Sequence, residues 1–523
     1  MSDKRKKKFK TYHPDQGMLL PPYLDDLIPD KHLVRVINRV MNSVRVESLY
    51  DQFKDLGCSS YHPLMMLKVI VYAYCLKIYS NRRIAQVMRQ DVTFMWLSGL
   101  QTPGFRTIGR FRSEYLKEVM EDVFTDVLDL LYREKYVKFE TYFVDGTLIE
   151  ADANKHSHVW TKNTDRYKKA VKERVHGLLD EIERINQEED GCYGDQDLKE
   201  MGENSNLTSE KVKQVSDRIN QKLQEKQDQK QTPADRKVSS IAGKLAKESE
   251  NLAKYEEQEE IAGGRNSYSK TDHDASFNRM KDDTLRASYN LQVSTENQFV
   301  TNFTTAQNAA DCGNFPDHFQ KIVERGEEYL PENFVGDAGY GTEENFQLLA
   351  DHEVESYLKY PGYFQESKPE YQDNSFARHN LAYNQEGNFF VCPAGKKLLF
   401  SKKNTEVTKR GFKYETYTYV CEDCSGCPLR EKCTKAKENR SLTINPKLDA
   451  FRKETRENLK SETGTKLRKR RGYEIETFWG DLKHNQGYRR IRLRGLTKAN
   501  LELAWLCIGY NLRKLHQKEL IMN

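Results

Sequence analysis

Two aspartates stand in unusual places. Asp145 lies in 144–147 (VDGT) and Asp337 in 335–341 (VGDAGYG), so each interrupts or ends a short apolar, strand-like run and is closely followed by glycine. A carboxylate there is opposed by both β propensity and burial. An Asp-Gly turn and a metal-ligating carboxylate both explain Asp145, and the residues alone leave both open. A third acid, Glu476, lies in 473–483 (YEIETFWGDLK), a stretch without proline. Ile475, Trp479 and Leu482 recur there at helical spacing. Lys483 is two turns beyond Glu476 and shares its face. Basic runs at 466–471 and 488–494 flank the stretch. Glu476 is therefore either a salt-bridged surface acid or part of a site where a metal ion and an anionic backbone meet.

Taken together, Asp145, Asp337 and Glu476 are hard oxygen ligands of the kind that suit Mg²⁺ or Mn²⁺. Such ions activate water or a 3′-hydroxyl on one side of a phosphorus atom and stabilise the leaving oxygen on the other. Lys483, Arg471, Arg489 and Arg490 would then hold DNA phosphates. A second set of residues suits a softer ion. Cys392 is followed by Cys421, Cys424, Cys427 and Cys433. Tandem C-x-x-C spacing without an export signal reads as a structural Zn²⁺ site, with Cys421, Cys424, Cys427 and Cys433 as ligands. Reduced cysteines in a loop are the plain alternative, and the choice of four from five stays open.

These residues need elements to position them. The chain has 523 residues, 37% hydrophobic and 31% charged, with a net charge of +5. That length predicts more than one domain. The expected class is mixed α/β. No signal peptide is read at the basic start, and the longest apolar stretch, 64–76, is broken by Lys68 and too short to span a membrane. A cytoplasmic protein is expected.

The pattern predicts a basic, extended arm at 1–30 and a helical domain at 31–135. Arg82, Arg83, Arg106, Arg110 and Arg112 fall on predicted exposed faces there. Short helices of this kind fit a helix-turn-helix DNA reader or a plain helical bundle. Residues 136–160 begin a β-rich core. A long charged helical insert with thin apolar seams fills 161–262. Core character returns over 263–355, with strands near 287–293 and 298–305 joined by a hairpin at Asn297. A helix follows over 312–324. An irregular, β-leaning insert with the cysteines spans 356–445. The last part, 446–523, carries the Glu476 helix and a final amphipathic helix.

Residues 144–147, 335–341 and 475–483, in this order, resemble the DDE transposases of bacterial insertion sequences. The likeness is nearest to the insertion-sequence family numbered eleven eighty-two, a relative of the IS-four-like group, and covers nearly the whole chain. It implies an RNase H-like catalytic core, recognition of terminal inverted repeats, and strand cleavage and transfer with Mg²⁺ or Mn²⁺. It further implies a nucleoid-associated homo-oligomer acting on transposon ends and target DNA. By position Asp145, Asp337 and Glu476 match the catalytic triad, and Lys483 the lysine after the Glu. Arg471 stands one residue from the family's upstream Arg spacing, and Lys469 occupies its Tyr position. A catalytically inactive DNA-binding derivative and a metal-dependent nuclease are the competing expectations.

Overall fold

The structure is a computed structural model that describes residues 23–53, 60–188, 207–225 and 232–522. Most of the expected basic arm, 1–22, lies outside the described residues. The chain divides into two units, Met1–Leu130 with Ile508–Asn523, and Leu131–Cys507.

The first unit is helical. Its centre is Pro63–Cys75, where Pro63 supplies the fixed φ of a first helical turn and most side chains are buried. The last helix, Leu496–Met522, ends in this unit, and Cys75 Sγ donates to the Gly509 carbonyl at 3.4 Å. Short helices Asn81–Val87 and Phe105–Ser113 pack together. A Cβ on Gly109 would lie 2.7 Å from the Asn81 side chain, so glycine sets that close approach. One arginine corrects the sequence reading. Arg112 is buried, donating to the Tyr79 carbonyl at 2.8 Å and to the Tyr74 hydroxyl at 3.3 Å. Spacing placed it on an exposed face, but the surrounding tyrosines and carbonyls satisfy it inside.

The second unit is built on a six-stranded sheet. Its strands are β1 (Thr141–Glu150), β2 (Ser276–Arg279), β3 (Leu285–Glu296), β4 (Phe299–Ala306), β5 (Asn333–Gly336) and β6 (Glu355–Leu358). β1 pairs antiparallel with β3 and parallel with β5, and β5 pairs parallel with β6. The other edge of β3 is shared, β4 along its end and β2 along its start. The β3–β4 turn is Asn297-Gln298, with φ of 51° and 66°. Two successive positive φ values match the right-handed twist of a tight hairpin. Helix Phe315–Arg325 packs against β4, and helix Glu462–Gly480 against β1, β3 and β5. With cover of this kind, Tyr142, Phe143 and Val144 are all buried and the alternation of a one-sided strand is lost.

One carboxylate ties the start of β1 down. Glu296 accepts the backbone N–H groups of Lys138, Phe139 and Glu140 at 2.8 Å each and that of Thr141 at 3.1 Å. Phe139 is held there at φ 62°, a conformation that costs energy without such support. Glu296→Ala is therefore expected to lower the stability of this unit by about 3 kcal/mol, read from urea unfolding.

A buried histidine gives the unit a pH dependence. His318 lies between Ser294 Oγ at 2.7 Å and Thr304 Oγ1 at 2.9 Å. Burial pushes its pKa down from 6.5 to about 3, and Lys321 and Arg325 add to this. The unfolded chain takes up the proton near pH 6.5 and the folded chain does not. Stability from this group is thus complete above that pH and is lost as pH falls below it. Between pH 7 and pH 5 the loss should be about 2 kcal/mol. The same pH step should cost His318→Gln less by that amount.

Between β1 and β2 lies the insert, with helices Thr161–Glu188, Ser209–Glu225 and Pro233–Ala262. Their seam is Val171, Val175, Leu179, Ile182, Val212, Ile219, Ile241 and Leu245, so they form an intramolecular bundle. Thr232 opens the last of them with a capping box to Asp235. A second, five-stranded sheet follows β6: β7 (Ala382–Asn384), β8 (Phe389–Val391), β9 (Lys397–Val407), β10 (Lys413–Cys421) and β11 (Ser441–Ile444). All its pairings are antiparallel. No described helix is long and apolar enough to cross a membrane.

Candidate active site

Asp145 sits in the middle of β1, opposite Val293 of β3, not at a strand end. The Asp-Gly step is thus strand, and the turn explanation falls. Asp337 follows directly on β5, whose Val335 pairs with Phe143. The parallel register therefore sets the two acids on neighbouring strands. Arg471, from helix Glu462–Gly480, reaches both. Its Nη2 is 3.0 Å from Asp145 Oδ1 and 3.9 Å from Asp337 Oδ2. Asp337 Oδ1 also accepts the Gly339 N–H at 2.8 Å.

A further acid joins this group, and the sequence reading passed over it. Asp311 Oδ1 accepts from Asn290 Nδ2 and Gln292 Nε2, both at 2.7 Å. A Cβ on Gly146 would lie 2.1 Å from Gln292 Nε2 and 2.3 Å from Asp311 Oδ1. Glycine after Asp145 thus leaves room for Asp311 at the strand surface. There was a signal for it. Ser288, Asn290, Gln292 and Ser294 alternate along β3 and are all buried. A buried polar stripe must find partners, and an acid is one of them.

The group is short of positive charge. Burial pushes the Asp145 carboxyl up to about 6, while Arg471 pulls it down and Asp337 and Asp311 push it up further. Arg471 is mostly buried, and its Nε has no hydrogen-bond partner. An under-neutralised acid pair beside an unsatisfied guanidinium fits a divalent cation and an anionic oxygen. Among the described residues, however, no three His, Cys, Asp or Glu side chains converge so as to hold a metal ion in this structure. Between Asp145 and Asp337 the cation present is Arg471.

Helix Glu462–Gly480 runs on into a π-helical turn, Asp481–Asn485, which carries Lys483. Lys483 Nζ bonds Thr147 Oγ1. Its pKa falls to about 8, chiefly through burial, with Lys281 adding to the fall and Asp145 opposing it. Glu476 is exposed on this helix. Its neighbour Glu474 is the buried acid, taken up by Arg470 at 2.7 Å and by the Gln298 N–H at 2.6 Å. Burial therefore does not mark Glu476 in the way it marks Asp145.

Beside Thr147 and Lys483 an open cleft of about 990 Å³ runs along β1. Arg279, Lys281 and Arg489 line it. Arg490 has a different task. Its guanidinium bonds the carbonyls of Ala151 and Ala153 and pairs with Asp152 at 3.2 Å, fixing the chain beyond β1. In the first unit Arg82, Arg83, Arg106 and Arg110 are all exposed. The exposed Phe105 ring has Arg82 at 5.2 Å and Arg106 at 6.0 Å. Arg110 pairs with Glu114 at 3.0 Å, and Arg83 bonds Gln86 at 2.8 Å. Cys392, Cys421, Cys424, Cys427 and Cys433 all border one small cavity at the edge of the second sheet.

Residues 391–516 match the family model of a transposase DDE domain. Both ends of the chain resemble transposases. At the other end, residues 22–114 match the model of a transposase domain, DUF772. The first match takes in Glu476, Lys483 and the cysteines, and the second takes in Arg82, Arg83, Arg106 and Arg110. Asp145 and Asp337 lie between the two matched spans. No curated protein matches the chain. The two family matches support a DNA transposase.

Proposed function

We propose that the protein is a DNA transposase that binds the terminal inverted repeats of its element and catalyses metal-dependent strand cleavage and strand transfer. The observation that carries this reading is the pair Asp145 and Asp337, on adjacent parallel strands and sharing one arginine, in a chain that resembles transposases at both ends. The strand order β4-β3-β1-β5-β6, antiparallel on one side of β1 and parallel on the other, supports an RNase H-like core. The insertion-sequence family numbered eleven eighty-two is the finer assignment we favour.

Asp145, Asp337 and Glu476 would hold Mg²⁺ or Mn²⁺. Once bound, the ions would activate the attacking oxygen and stabilise the leaving one. Everything else falls to the chain's own groups. Asp311 stands beside Asp145 with its Oδ1 taken by two amides, and it too borders the cleft. Lys483, Arg489, Arg279 and Lys281 offer a DNA strand phosphate contacts along the cleft, whose lining also includes Glu150, Asp282, Asp283 and Asp311. Arg471 has a buried N–H without a protein partner, which a phosphate oxygen would take once the guanidinium moves off the acids. The exposed Arg82–Phe105–Arg106 patch suits the outer DNA contact.

The test uses DNA that flanks the protein's own gene. With Mg²⁺, the wild-type protein should nick at the junctions of the element and join the new 3′-hydroxyl to a target plasmid. Nicking without joining would mark a nuclease. Binding with no nick in Mg²⁺ or Mn²⁺ would mark a DNA-binding scaffold.

A further inference from the structure

The five-stranded sheet β7–β11 is poorly supplied with core. Its buried cluster holds Leu381, Phe390, Leu398, Tyr419, Cys421 and Cys424. Two of those six residues are cysteines. Between β10 and β11 the chain runs through nineteen residues, 422–440, whose one regular element is the turn of helix Arg430–Cys433. So small a core, with so long an irregular loop, generally needs a cross-link to hold one shape.

The cysteines stand where such a link would form. Cys421 ends β10, paired with Leu398 of β9, and Cys392 follows β8 in a turn closed by Gly395 N–H to the Cys392 carbonyl at 2.8 Å. Cys424, Cys427 and Cys433 come from the loop. All five border a single cavity of about 20 Å³. That is room for one water-sized body. Donors are already turned on two of the sulfurs. The backbone N–H of Arg440 points at Cys424 Sγ at 3.3 Å, and Arg440 Nη1 at Cys433 Sγ at 3.1 Å. A thiol sulfur is a weak acceptor, whereas a metal-bound sulfur accepts donors of this kind well.

We propose that this cavity holds one structural Zn²⁺, bound tetrahedrally by four of the five thiolates, with Cys421 and Cys424 among them. Cys421 and Cys424 are the two cysteines that both border the cavity and belong to the buried cluster of the sheet. The other sulfurs do not yet converge with them on one point, so closure takes side-chain rotation of the loop cysteines. Arg440 then offsets part of the net charge of a Zn(Cys)₄ centre, and four bound thiolates leave no open position for catalysis. The cavity's size separates this from an iron–sulfur cluster. A C-x-x-C-x-x-C run can carry such a cluster, but a cluster of several iron and sulfur atoms needs more room than one ion.

The test is the metal content of full-length protein purified under reducing conditions without chelator. One zinc per chain is expected. Titrating the wild-type protein with a mercurial should release that zinc as the four thiols react. Cys424→Ser should lose at least nine-tenths of it. Since that variant could misfold, Co²⁺ replacement in the wild type gives an independent reading, in which tetrahedral thiolate coordination shows as intense visible ligand-field bands. Iron with acid-labile sulfide, a Cys421–Cys424 disulfide, or substoichiometric zinc with five freely reacting thiols would each overturn the proposal.

Discussion

Asp145→Asn and Asp337→Asn should each reduce metal-dependent cleavage of element-end DNA by more than about 100-fold. Even groups that only support a metal ligand typically contribute 10- to 100-fold, and these two would be the ligands themselves. Asparagine keeps the size and one oxygen of the side chain but gives up the charge that a hard cation needs. DNA binding should survive, because neither acid lines the cleft beside Lys483 and Arg489 or belongs to the Arg82–Phe105–Arg106 patch. Gel-shift and nicking assays on the same preparations read both quantities. Wild-type nicking by either variant would remove that aspartate from the catalytic assignment.

Arg471→Gln should have the second largest effect, and of a different kind. Arg471 is mostly buried and is the cation placed between Asp145 and Asp337. Taking it away leaves Asp145, Asp337 and Asp311 to face one another. Breaking a buried pair by removing one partner costs several kcal/mol. About 3 kcal/mol is expected here, at the low end because Asp337 is 42% exposed. Mg²⁺ should return much of that loss, since it can supply the missing charge. The variant's Tm should therefore rise more with added Mg²⁺ than the wild type's. An equal rise in both would show that Arg471 and the metal ion do not compete for the same acids.

Asp145 and Asp337 were legible because an acid in a strand-like run is a local anomaly, and parallel pairing of β1 with β5 does the rest. The Asn297 hairpin was legible for the same local reason. Asp311 was not read, because its partners Asn290 and Gln292 lie far off in sequence on β3 and the short run around it has no period. The helix read over 312–324 begins instead at Phe315, where Asn314-Phe-Pro316 starts the turn and 311–313 forms a separate 3₁₀ turn. Arginine roles were the hardest to read. Arg112 is inside, Arg490 is bound to carbonyls and Arg471 is an acid's partner, yet spacing presents all three as surface cations. What decides each is the tertiary position of the acceptor, and no window of sequence contains it. The long insert was readable as helices, and its closure into one bundle follows from seams on all three helices.

The central claim is that Asp145 and Asp337, with Glu476, hold the ion that cleaves DNA. It is tested most directly by locating Mn²⁺ through anomalous scattering in crystals of the protein bound to element-end DNA. The account predicts an ion ligated by carboxylate oxygens of both Asp145 and Asp337, with Glu476 turned in to meet it and the Arg471 guanidinium moved off the acids onto a DNA phosphate. An ion bound elsewhere, with Arg471 still paired to Asp145 and Asp337, would contradict it.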